Sequence, residues 1–158
     1  MHKYETALFI GRFQPFHNGH LYSLKKCLEV ADKVIVGIGS SQESGTESNP
    51  WSFEERVKMI GGLQGLSLQV EIVAIPDTPE DENWVENVSK IVSKENSVIV
   101  SNNEWVTRLM GGVGYQIYET GLYNRDELEG VKIRELMRKG DTGWKLRVPK
   151  TVVSNIYN

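Results

Sequence analysis

Two of the three histidines, His17 and His20, stand three residues apart in the run Gly11-Arg12-Phe13-Gln14-Pro15-Phe16-His17-Asn18-Gly19-His20. The run joins a strand-like segment to a helix-like one. The first turn of a helix leaves backbone N–H groups free and carries the positive end of the helix dipole, so an anion such as phosphate is the expected guest there. Both imidazoles can donate to it. Gly19 leaves room for close backbone approach, Pro15 stiffens the loop, and Arg12 offers a planar, always-charged fork suited to phosphate oxygens. A single histidine at such a place is ordinarily a capping, packing or solvated residue; the combination is what points to phosphate chemistry. Two histidines without a nearby third Cys, His or carboxylate supply too few ligands for zinc. No Gly-x-Ser-x-Gly marks an activated serine, Gly37-Ile38-Gly39 lacks the third glycine of a dinucleotide fingerprint, and no Gly-x-x-x-x-Gly-Lys-Ser/Thr occurs.

The flanking segments show what must position these residues. A run from near Tyr4 to Gly11 and the apolar stretch Lys33 to Gly39 read as buried strands. Between them, Leu21, Leu24, Leu28 and Ala31 recur at helical spacing, which predicts a helix over His20 to Ala31. Ser52-Phe53-Glu54-Glu55 is a capping box opening a helix to about Leu63, and Val70 to Ile75 is a strand. Trp84, Val88, Ile91 and Val92 share a helical face, Val98 to Val100 is a strand, Glu104 to Met110 is a helix that Gly111-Gly112 can end, and Tyr115 to Tyr118 is a fifth strand. Helices over Lys132 to Lys139 and Val148 to Ile156, with Pro149 in the first turn of the latter, close the chain. The alternation predicts an α/β fold: a Rossmann-like, doubly wound, parallel five-stranded sheet with C-terminal helices, in one domain over residues 1–158. Ligands of such sheets sit beyond the carboxyl ends of the strands where strand order reverses. The irregular stretches Ser40 to Trp51 and Asp77 to Asn83 each follow a strand and are candidate binding loops.

Charge narrows the partners. The chain has 158 residues and a net charge of −3, yet residues 131–150 hold seven bases against Glu135 and Asp141. An acidic body with one basic segment suits a small anionic ligand better than nucleic acid, although a charge run alone is commonly a solvated helix face. The lone Cys27 gives no disulfide framework, and no segment is long and apolar enough for a membrane span, so a cytoplasmic location is expected.

On these residues the sequence resembles the HxGH nucleotidyltransferase superfamily. The longer form Gly11 to His20 is most similar to archaeal-type nicotinamide-nucleotide adenylyltransferases, with support from Ile38 to Gln42, Asn49-Pro50-Trp51, Glu55-Arg56-Val57, Ile75-Pro76, Trp84-Val85, Ser101-Asn102 and Ile133 to Met137. The resemblance implies a single nucleotidyltransferase domain that transfers AMP from ATP to nicotinamide mononucleotide, giving NAD and pyrophosphate. It implies Mg²⁺ carried mainly by ATP with no dedicated protein metal site, and a homo-oligomer, a hexamer in that family. It further implies that His17, His20, Arg12 and Arg134 act on the phosphates. Gly11, Phe13, Gly19, Asn102, Val131 and Lys132 would complete the ATP site, and Trp84 and Gln14 would meet the nicotinamide nucleotide, with Trp84 stacked on the ring. From position alone, Arg134 reads as a solvated helix residue and Trp84 as a buried helix-face residue. The chain departs from the family pattern at Ser48, where an Arg is common, and at Glu129-Gly130-Val131, where Ser-Gly-Thr is usual. Another phosphorylated acceptor in the same chemistry, or a nucleotide-binding regulator without catalysis, are the alternatives.

Overall fold

The computed structural model describes residues 2–63, 70–121, 124 and 127–157. In chain order its elements are β1 (Tyr4–Gly11), α1 (Asn18–Val30), β2 (Ala31–Gly39), α2 (Phe53–Gly61), β3 (Val70–Ile75), α3 (Asp81–Ser89), β4 (Ser97–Val100), α4 (Glu104–Gly112), β5 (Gln116–Ile117), α5 (Gly130–Arg138), a 3₁₀ turn (Thr142–Arg147) and α6 (Lys150–Tyr157). The strands form one sheet in the order β3-β2-β1-β4-β5, and every pairing is parallel. The chain winds outward from β1 to β3 and then crosses back to β4. Strand order therefore reverses beside β1, and the crevice beyond β1 and β4 is where a ligand belongs.

Side chains alternate across the sheet with period two, so each central strand feeds two cores. Ala7, Phe9, Val34, Val36, Ile38, Val98 and Val100 face one core, which α1, α2, α5 and α6 cover with Leu24, Cys27, Met59, Ile133 and Val152. Leu8, Ile10, Ile35, Ile75 and Ile99 face the other, covered from α3 and α4 by Trp84, Val88, Val106 and Met110. Burial on both faces explains the nearly continuous apolar runs of β1, β2 and β4.

Several boundaries differ from those expected. Helix α1 begins at Asn18, two residues early, because His17 caps it. Helix α3 stops at Ser89, leaving Ile91 and Val92 beyond it but packed on the same core. Gly111 and Gly112 stay within α4, and the left-handed turn falls on Gly114, at φ 101°. The fifth strand shrinks to Gln116–Ile117, since the buried Tyr115 instead donates its hydroxyl to the Val92 carbonyl. Helix α6 starts at Lys150, just behind Pro149.

The capping box forms as expected: Glu55 N–H donates to Ser52 Oγ, and Ser52 N–H to Glu55 Oε1. Its consequence is the placement of Arg56, the next residue, whose side chain is fully buried. Arg56 Nε donates to Ser52 O, Nη1 to Arg12 O and Gly39 O at 3.0 and 2.9 Å, and Nη2 to the carbonyls of Ser40, Ser41 and Glu43. One guanidinium thus ties the ends of β1 and β2 to α2. Burial pulls its pKa below the usual arginine value. Arg56→Lys keeps the charge but offers three donors without the planar fork. Stranding the remaining carbonyls should cost about 3 kcal/mol. For a chain of this size that is a fall in Tm of roughly 9 °C, read by thermal unfolding followed by circular dichroism; a shift under about 2 °C would show that Arg56 does not brace the sheet.

Candidate active site

The loop from β1 to α1 ends in a capping box made of two histidines. His17 Nδ1 accepts from the backbone N–H of Gly19 at 3.0 Å and of His20 at 3.3 Å, while His20 Nδ1 accepts from His17 N–H at 3.1 Å. The three-residue spacing is the N-cap to N3 spacing of a capping box, with imidazoles in both roles. The rings stack, centroids 3.6 Å apart and planes within 20°. Phe13 and Phe16 lie against His20 with centroids at 4.7 and 5.4 Å. Gly19 serves this arrangement directly: a Cβ there would stand 2.9 Å from the His17 ring.

An Nδ1 that accepts a backbone N–H cannot carry a proton. The caps therefore assign both imidazoles to the neutral form with the hydrogen on Nε2. Burial acts in the same direction. It lowers the His17 pKa to about 4 against the opposing charge of Glu129, and lowers that of His20 well below the usual value with His17 adding to the effect. The helix start thus presents two neutral Nε2–H donors, and no loss of a proton is needed to make them so.

A cavity of about 930 Å³ opens at this point, bordered by the strand ends and by the N-termini of α1, α4 and α5. At its β2–β3 side, Asp77 accepts from Ser40 Oγ at 3.1 Å and from Gln42 Nε2 at 2.8 Å, and Gln42 Oε1 takes the Asp77 N–H. Ser40 holds a left-handed backbone, φ 46°, with its carbonyl on Arg56. At the β4 side, Asn103 caps α4 through Trp105 N–H and Val106 N–H, and Asn103 N–H itself donates to Ser101 Oγ. Trp84 and Trp105 meet across the opening, centroids 4.7 Å apart.

Of the residues expected at the site, Gly11, Arg12, His17, Gly19, His20, Trp84, Asn102 and Val131 border this cavity. Phe13 is buried beneath them. Gln14 does not border the cavity: its Nε2 donates to Trp51 O at 2.9 Å and its Oε1 accepts Trp51 N–H at 3.0 Å, which fixes the far end of the β2–α2 loop. Lys132 and Arg134 are not on the cavity wall. Lys132 faces Glu129 at 3.9 Å, and Arg134 Nη1 donates to Gln14 O at 2.7 Å. Burial and the nearby Arg12 and Arg138 lower the Arg134 pKa, with Glu47, which pairs with Arg138, opposing them. Glu129 does border the cavity and acts electrostatically on His17. The Asp77 cluster lies where the two expected binding loops begin, whereas the sequence assigned no site role to Arg56 or Trp105. Trp105 is legible only as a residue shortly after a strand end. Among the described residues no group of three His, Cys, Asp or Glu side chains could hold a metal ion, and no helix is long and apolar enough to cross a membrane.

Comparison with known proteins places this geometry. The cytidylyltransferase-like family matches residues 8–73. Nicotinamide-nucleotide adenylyltransferase of Archaeoglobus fulgidus is 37% identical over 157 residues, covering 95% of this chain and 89% of that one. The Thermoplasma volcanium enzyme of the same name is 39% identical over 160 residues, covering 98% and 86%. The chain belongs to the nicotinamide-nucleotide adenylyltransferases. A solved relative of this adenylyltransferase family, the bifunctional NMN adenylyltransferase/ADP ribose pyrophosphatase of Francisella tularensis, superposes with TM-score 0.78 at 30% identity, over 92% of this chain. The chain spans about half the length of that protein, 45%. The same enzyme complexed with AMP and a manganese ion gives TM-score 0.79 at 28% identity.

The buried histidine cap gives this adenylyltransferase a definite acid response. An unfolded chain takes up protons on histidine near pH 6.5, whereas folded His17 resists protonation down to about 4. Between those values the unfolded state binds more protons, so stability is complete above about 6.5 and declines as pH falls toward 4. NMR titration of the imidazoles should show His17 charging near pH 4, with Tm dropping through the same window. A His17 titration near 6.5 would break the neutral-cap assignment.

Proposed function

We propose that this protein transfers the AMP moiety of ATP to the 5′-phosphate of nicotinamide mononucleotide, forming NAD and releasing pyrophosphate. The observation that carries this reading is the paired histidine cap at the switch point of the sheet, in a member of the nicotinamide-nucleotide adenylyltransferase family. An oxygen of the acceptor phosphate attacks the α-phosphorus as the bond to the β-phosphate oxygen breaks. That acceptor is already ionised, so no strong general base is required; alignment and charge stabilisation supply the catalysis.

Each side chain has a task in this reading. The Nε2–H groups of His17 and His20 donate to the phosphate oxygens on which charge builds, and the N-terminus of α1 adds its dipole. Arg12 and Arg134 offset the charge of two approaching anions, with Gln14 acting behind Arg134 rather than on substrate. The backbone amide of Val131 opens α5 toward the phosphates, with Lys132 one residue behind it, and Asn102 borders the adenosine side. Mg²⁺ suits hard phosphate oxygens and commonly takes only one or two protein carboxylates, so it would arrive with ATP. Asp77 has both carboxylate oxygens engaged within the protein, and the ion would neutralise part of the triphosphate charge. The buried Cys27 suits a reducing compartment such as the cytoplasm.

Pyrophosphate release from ATP and Mg²⁺, measured over a panel of phosphorylated acceptors with product mass, should respond to nicotinamide mononucleotide and yield NAD. Release only with another acceptor would redirect the assignment, and nucleotide binding without release would mark a regulator. His20→Ala should lower turnover by about 100-fold in a protein that still folds. His17→Asn separates two roles, since asparagine is a good helix cap but has no second ring nitrogen. Its Tm should hold while turnover drops by a similar factor; unchanged turnover in either variant would remove that histidine from the reaction.

A further inference from the structure

The acceptor side of the cavity holds an aromatic pair that the family resemblance did not single out. Trp84 lies in α3, which follows β3, and Trp105 is the second residue of α4, which follows β4. Those strands lie on opposite sides of β1. The two indoles therefore reach toward each other over the reversal point from opposite halves of the sheet, with centroids 4.7 Å apart and planes tilted by 56°. Trp84 is 3% exposed and built into the α3–α4 core, while Trp105 is only partly buried. Of an aromatic surface of roughly 150–250 Å², 3% leaves under about 8 Å². That is too little for another ring to rest on Trp84 alone, and the indole tilted over it is Trp105.

We infer that Trp105 is a second aromatic residue of the acceptor subsite, so that the ring of nicotinamide mononucleotide rests on the partly exposed Trp105 indole and meets Trp84 only at its edge. This rests on the acceptor assigned above. The ring is an N-substituted pyridinium and carries a full positive charge, and indole faces are the strongest side-chain partners for a cation in a partly desolvated site. Trp105 is held for this task by its backbone: Asn103 Oδ1 accepts Trp105 N–H at 2.9 Å, fixing the first turn of α4 at the cavity wall. Trp105 thereby acts as a specificity residue, favouring a charged ring over a neutral one of equal size.

The test compares nicotinamide mononucleotide with its reduced, uncharged form in the unchanged protein, Trp105→Leu and Trp105→Phe. Leucine keeps apolar bulk against Trp84 without an aromatic face, and phenylalanine restores a face. Trp105→Leu should raise KM for nicotinamide mononucleotide about tenfold, with KM for ATP changed less than about twofold; the penalty with the reduced ring should be about two- to threefold, and Trp105→Phe should recover most of the loss. An unchanged KM for the acceptor, an equal rise for ATP, or the same penalty with both ring forms would overturn the inference and make Trp105 a packing residue. Should Trp105→Leu fail to fold, the preference for the charged ring must still weaken in Trp105→Phe relative to the unchanged protein, and an undiminished preference rejects the role. If the unchanged protein makes no NAD while releasing pyrophosphate with another acceptor, the acceptor assignment falls and this inference falls with it; NAD formation with a failed tryptophan test rejects the inference alone.

Discussion

Arg56 brings a positive charge into the place where two strands and a helix converge and directs it at backbone carbonyls of Arg12, Gly39, Ser40, Ser41, Glu43 and Ser52. Strand ends and the loops after them carry backbone groups that no ladder satisfies, and leaving several buried without partners is costly. A guanidinium answers this with a planar set of donors in one side chain. Because each trans peptide holds its N–H opposite its C=O, carbonyls turned down onto Arg56 turn the following N–H groups away from it. The floor of the cavity, the left-handed Ser40 and the Asp77 cluster above it all depend on that anchoring.

In the proposed reaction the histidine pair joins folding and chemistry in the same two rings, through different nitrogens. Asparagine, aspartate or serine caps a helix at least as well, but each presents its polar atoms on the side that the backbone uses. Imidazole has a second nitrogen on the far side of a rigid ring, so capping with Nδ1 aims Nε2–H outward. The spacing of the two residues is accordingly a property of the helix start, N-cap and N3, rather than of any ligand. The stacked rings and the adjacent phenylalanines fix the direction of the Nε2–H groups, which is the preorganisation that the proposed reaction would use.

The fold was readable because parallel strands buried on both faces leave apolar runs, and because local devices such as Ser52–Glu55 depend only on neighbours in sequence. His17 and His20 were readable as a pair for the same reason. Arg56 stood in plain view as part of a family-like stretch, but its burial arises from segments that converge only after folding. The motif around Gln14 does not reveal its amide's partner, the Trp51 backbone, which is 37 residues away. Trp105 was hidden likewise, since its contact with Trp84 crosses the sheet. What sequence reading loses here is the direction of polar side chains that satisfy distant backbone groups.

The β2–α2 loop is tethered at both ends and held between them by a side-chain ion pair, Glu47 with Arg138 of α5. Arg56 holds it at Ser40, Ser41 and Glu43, and Gln14 holds it at Trp51. In between, Gly45 N–H bonds Pro50 O and Thr46 N–H bonds Asn49 O, so the tip closes on itself, and Gly45 has open space around it. Such a segment is a cassette for evolutionary change. Its exposed residues can be exchanged without disturbing the ends of β1 and β2 that the tethers join. A change at Ser48 therefore leaves the Arg56 and Gln14 tethers and the Glu47–Arg138 pair in place.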